Sequence, residues 1–159
     1  MATKSGSRPA GALGKLRALE DRIASALAPY LLLLVRFVFG YGLLRTGLGK
    51  LQNLDKIADF FGSLGIPAPE INAAVVGGLE LVGGALLMLG LLTRTTAGVL
   101  TVVWLVALAT AHGSEVSQFF KDPSVAIKAA PMPFLAALIA LGLCGGGRFS
   151  LDTLISGRR

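Results

Sequence analysis

The sequence predicts an all-α membrane protein: a bundle of four transmembrane helices with short amphipathic helices at the membrane interface. Three observations carry this expectation. The 159 residues are 53% hydrophobic with a mean hydropathy of +0.71, and only 15% are charged, against about 25% in soluble domains. Apolar runs of the roughly twenty residues that a ~30 Å hydrocarbon core requires recur along the chain. Two ionisable residues, Arg36 and Glu80, lie deep inside such runs, where a charge must face protein, water or an opposite charge.

Taken in order, residues 1–11 are small and polar and predict a disordered tail, leaving 12–159 as a single membrane domain. Leu13, Leu16, Leu19, Ile23 and Leu27 recur at helical spacing with Lys15, Arg17 and Arg22 on other faces. That pattern is an interfacial amphipathic helix or an extension of the first span. A basic segment before an apolar run also resembles a signal peptide, but the arginine in the run and the missing small-residue cleavage site favour an uncleaved anchor.

The first span covers about 29–48, with Pro29 in its first turn, where a missing N–H matters least. The second covers about 73–92, and a tight Leu92-Thr93-Arg94-Thr95 turn leads to the third at about 96–111. A fourth span over 125–144 needs Lys128 to snorkel and Pro131 and Pro133 to sit near its start. Between the first two spans, Leu54, Ile57, Phe60, Phe61 and Leu64 form one apolar face and Asp55, Lys56 and Asp59 the other, until Gly65-Ile66-Pro67 stops the helix. This segment fits a short helix covering the bundle mouth, or an ordinary amphipathic connector. Near the end, Gly145-Gly146-Gly147 breaks the fourth span and Ser150 is placed to cap a last short helix.

The net charge of +6 fits lipid head groups and orientation; it does not imply nucleic acid. Nine Lys and Arg fall on the side of the two termini and five on the other, counting Arg45 with the outer loops. The positive-inside rule therefore places both termini in the cytoplasm. One cysteine and one histidine rule out an internal disulfide and are too few for an in-chain zinc, bis-histidine haem or iron–sulfur site. Any redox cofactor is then borrowed, bound non-covalently or shared across subunits. Cys144 reads as a small core-facing residue.

Along a helix, Arg36, Gly40, Leu43, Gly47 and Lys50 share one face, as do Gly77, Glu80 and Gly84. Gly40, Gly47, Gly77 and Gly84 suit close helix packing. Placing the span ends at the membrane boundaries brings the Cα levels of Arg36 and Glu80 within roughly 8 Å. The expected centre is an Arg36–Glu80 ion pair, with Lys50 nearer the surface and His112 at the mouth as a residue able to titrate near neutral pH. The pair reads either as a device that fixes helix register or as a site whose arginine has donors to spare for a quinone carbonyl, a lipid phosphate or a small anion.

The order Arg36-x3-Gly40-x6-Gly47-x2-Lys50, Phe60-Phe61-x3-Gly65-Ile66-Pro67, Gly78-x-Glu80-Leu81-Val82-Gly83-Gly84, Leu89-Gly90-Leu91-Leu92-Thr93-Arg94 and Gly147-Arg148-Phe149-Ser150-Leu151-Asp152 resembles the DoxX family of small bacterial four-helix membrane proteins. The resemblance implies an accessory, redox-linked role near the quinone pool, with redox-enzyme subunits as partners. It supports Arg36, Lys50 and Glu80 as the polar centre and supplies no catalytic set. The function expected is a membrane accessory subunit of a redox complex with a quinone- or lipid-binding cleft. The alternative is a scaffold, assembly factor or small transporter, the last requiring a homodimer because four helices enclose little space.

Overall fold

The computed structural model describes residues 12–117, 121–122, 124 and 131–157. They form seven helices: α1 (Ala12–Gln52), α2 (Leu54–Ser63), α3 (Pro69–Leu89), α4 (Thr93–Ala111), α5 (Gly113–Ser117), α6 (Pro131–Cys144) and α7 (Leu151–Ser156). α1, α3 and α4 are long and apolar enough to cross a membrane, and α6 is a shorter apolar helix. The protein is thus all-α and membrane-spanning. The expected N-terminal tail, and the entrance to the fourth span with Lys128, lie outside the described residues.

The first span is not a separate element of twenty residues. α1 runs unbroken through Pro29 for 41 residues, roughly 60 Å at 1.5 Å per residue. The amphipathic segment expected before it is its own extension.

α3 ends earlier than expected. Gly90, in the left-handed conformation (φ 70°), donates to Leu87 O while Leu91 donates to Leu86 O, a glycine-terminated helix end. α4 then starts at Thr93, three residues before the position read from the sequence.

α1 and α3 pack antiparallel through their glycines. A Cβ on Gly84 would stand 2.5 Å from Leu44 N, and one on Gly40 2.9 Å from Gly84 O. Gly47 lies against the backbone of Gly77, Glu80 and Leu81, and Gly77 against Leu51 and Lys50. Only hydrogen at Cα allows this approach. α4 pairs chiefly with α6. The two pairs meet on Leu43, Leu87, Leu100, Leu138 and Leu141, with Trp104 stacked on Phe134 at 4.4 Å. Cys144 does not face this core; it is exposed at the end of α6.

Candidate functional site

Arg36 and Glu80 do not meet. Gly47 lies against the backbone of Glu80 itself, and Arg36 sits three turns further back on α1, roughly 16 Å along the axis. Side-chain direction separates them further. Cα–Cβ bonds tilt toward a helix's N-terminus, so in an antiparallel pair Arg36 leans away from the level of Glu80, while Lys50 and Glu80 lean toward each other.

Arg36 is buried, 1% exposed, in a cage of main-chain carbonyls. Its Nε donates to Leu87 O, Nη2 to Met88 O and Phe149 O, and Nη1 to Gly146 O and Phe149 O. These five bonds use all five guanidinium donors. Leu87 and Met88 stand at the C-terminus of α3, where carbonyls lack intrahelical partners and the helix dipole favours a cation. The donors expected to remain for a ligand are therefore engaged, and Arg36 is an architectural residue.

Asp152 completes this knot from the other side. Its Oδ1 accepts from Leu92 N (2.6 Å) and its Oδ2 from Thr93 N (2.8 Å), while its own N–H donates to Gly90 O. α4 begins after Leu92, which has no side-chain acceptor, and Asp152 supplies the cap from a distance. The same clamp holds Leu92 at φ 50°, a conformation costing about 1–2 kcal/mol in an L-residue. Burial pushes the Asp152 carboxyl up, but the Thr93 and Leu92 donors and nearby Arg36 outweigh it and hold it below its ordinary value. Ser150 caps α7, accepting from Thr153 N at 3.2 Å. The role of Asp152 has one trace in the sequence: a helix start at Leu92-Thr93 with no acidic or hydroxyl residue before it.

The partner of Glu80 is Lys50, with Nζ–Oε2 at 2.5 Å and side-chain exposures of 3% and 21%. Beside this pair lies a cavity of about 260 Å³. α2 and the turn after it roof it with Phe60, Phe61 and Leu64, α3 contributes Asn72, Val76 and Glu80, and α4 contributes Val103, Trp104, Ala107 and Thr110, with His112 just past its end. The amphipathic helix after the first span does cover the mouth. Lys50, Glu80 and His112 are brought together on one wall system; Arg36 is not part of it. Trp104 is 7% exposed, and its indole Nε1 has no hydrogen-bond partner among the described residues. In the sequence nothing but its place in the third span marks Trp104. Among the described residues, no three His, Cys, Asp or Glu gather as a metal site would need.

The arrangement is a mostly apolar chamber with one neutralised charge pair on its wall. Glu80 takes one of the three Lys50 donors, which leaves ammonium hydrogens for a carbonyl or other oxygen in the chamber.

Residues 31–113, more than half of the chain, match the DoxX family model. The chain is 32% identical over 123 residues to the Bacillus subtilis protein named "Putative oxidoreductase CatD", covering 77% of this chain and 85% of that one. It is likewise 32% identical over 146 residues to "Uncharacterized membrane protein Rv3486" of Mycobacterium tuberculosis, covering 86% and 88%. No solved structure matches it. With the glycine-packed helix pair, the lidded chamber and the matched span all in place, the chain belongs to the DoxX family of membrane proteins.

Proposed function

We propose that the protein is an integral accessory subunit of a redox complex in a bacterial cytoplasmic membrane, and that its chamber takes the head group of a quinone. The carrying observation is the cavity of about 260 Å³ with apolar walls and the Lys50–Glu80 pair at its side. A cavity of about 150 Å³ holds one benzene ring, so this one accommodates a substituted one- or two-ring head while an isoprenoid tail passes out between helices. Its apolar walls suit such a ring better than a phospholipid head group. Lys50 donates to one quinone oxygen, and Trp104 and the Phe60–Phe61 roof flank the ring. The oxidoreductase name of the Bacillus relative supports the redox setting, with electrons supplied by a partner subunit. Nine cations on the termini's side against five support cytoplasmic termini.

Trp104 is the sole tryptophan and lines the chamber, so its fluorescence reports occupancy. Titrating a short-tailed quinone into purified protein quenches it saturably, and Lys50→Met weakens the titration. No quench, together with no quinone in solvent extracts of the purified protein, refutes the reading.

One observation favours the second reading, a scaffold, assembly factor or small transporter with a purely architectural polar centre: Arg36 is wholly consumed by the fold. Replacing Lys50 and Glu80 together by a close-packing apolar pair separates the two. A folded variant with an unchanged host phenotype supports the scaffold.

A further inference from the structure

The first half of α1 leaves the bundle. Gly40 packs beside Met88, at the last turn of α3. Below that level α1 still touches the C-terminal segment through the Arg36 cage, Leu32 beside Gly147 and Tyr30 against Phe149 at 5.3 Å, and from Pro29 back to Leu13 it extends roughly 24 Å further. Along α1, with Leu19, Leu31 and Val38 exposed beside it, runs an apolar row of Leu13, Leu16, Ile23, Leu27, Tyr30, Leu34, Phe37 and Tyr41, each 51–69% exposed.

The spacing is the informative part. Steps along the stripe alternate three and four residues throughout, with Glu20 filling the one remaining position. Four heptads in that phase are the signature of a coiled-coil seam. A surface that only faces acyl chains has no need of a 3.5-residue repeat. On a straight helix the stripe drifts about 20° per heptad, which a left-handed supercoil between two helices removes.

We propose that this stripe is the contact surface between two copies of the chain, packed in parallel along α1 from inside the bilayer to beyond it. Copies inserted in one membrane share an orientation, so a parallel two-fold pair sets each stripe against itself. The seam from Leu13 to Tyr41 is roughly 42 Å long. On helices about 10 Å across it covers on the order of 400 Å² per copy, about 800 Å² in all, which is below the ~1,000 Å² of a stable interface and corresponds to a weak, exchanging dimer. Lys15, Asp21 and Arg22 lie off the seam. Glu20 is the one acidic residue on it, and Arg17, three residues earlier on the same helix, offsets its charge. The homodimer that the transporter alternative requires thereby acquires a defined surface.

Single cysteines in a Cys144→Ser background, oxidised in native membrane vesicles, test this. Leu16→Cys, Ile23→Cys and Leu34→Cys form disulfide-linked dimers, whereas Ala18→Cys and Ser25→Cys on the opposite face give at least about tenfold less, the ratio that ~1.4 kcal/mol supports. Ile23→Lys with Leu27→Lys lowers the Leu34→Cys crosslink about as much while the chain stays membrane-inserted and monodisperse in detergent. Equal crosslinking on both faces, none at any seam position, linkage to a different protein, or a spin label at Leu16 buried in lipid each overturns the proposal.

Discussion

Replacing Arg36 by methionine removes the guanidinium while nearly preserving the side chain's volume. Three carbonyls, those of Met88, Gly146 and Phe149, lose their donor, while Leu87 O keeps the Gly90 N–H. A buried acceptor left unsatisfied costs about 1–3 kcal/mol. If water at the bundle's end serves the two loop carbonyls, the Met88 carbonyl at the end of α3 still costs about 1–3 kcal/mol. That is a large share of the 5–15 kcal/mol typical of a folded domain. Arg36→Lys falls between, since an ammonium offers three donors in a different geometry. Heating detergent-purified protein and following the monodisperse fraction gives the order wild type, Arg36→Lys, Arg36→Met. A double-mutant cycle sharpens the test. Arg36→Met and Glu80→Gln add, because the sites are far apart, whereas Lys50→Met and Glu80→Gln are strongly non-additive. Wild-type stability in Arg36→Met, or coupling between Arg36 and Glu80, refutes the geometry described above.

Three further outcomes follow from the packing. Gly47→Ala drives a methyl into the backbone of α3 and costs at least about 1–3 kcal/mol, whereas Gly49→Ala, with open space around it, is neutral or stabilising by up to about 1 kcal/mol; the same thermal assay ranks them. Asp152→Asn weakens the cap on α4 by about 0.5–2 kcal/mol. Because the Asp152 carboxyl sits below its ordinary value when folded, its contribution is complete above the unfolded value of about 3.9 and is lost as pH falls through the lower folded value. Stability-versus-pH curves of wild type and Asp152→Asn therefore converge at the acid end. Glu80→Gln leaves Lys50 without its counter-charge in an apolar wall, and a loss of roughly 3 kcal/mol or more is expected, restored in part by Lys50→Met.

Much of the architecture was legible because hydropathy sets span number and glycine spacing marks the faces that touch. The failure at Arg36 has a definite origin. Levelling the spans by their apolar ends placed Arg36 opposite Glu80, but register is set by Gly40, Gly47, Gly77 and Gly84, and these slide α1 so that Lys50 takes the carboxylate. The helical face Arg36-Gly40-Leu43-Gly47-Lys50 already contained the correct partner, and the tilt of side chains toward helix N-termini selects it. Hydropathy and periodicity left open whether the segment before Pro29 is a separate interfacial helix or an extension of the first span, and α1 is the extension. The Asp152 clamp joins residues sixty positions apart, which no local pattern encodes. The Leu54–Leu64 periodicity gave the helix but left open lid or connector, because the chamber beneath is lined from several separate elements.

The carbonyl cage around Arg36 also orders events during biosynthesis. The arginine enters the membrane with the first helix, yet Gly146, Phe149 and Asp152 emerge from the ribosome only after every spanning helix has been made. Until then the nascent chain carries a cation whose neutralising shell is incomplete and a turn after α3 that nothing holds. A chain stopped at Gly145 should accordingly be inserted but short-lived, and pulse-chase decay in cells, compared with the full chain, measures how far those last few residues act as the molecule's own completion signal.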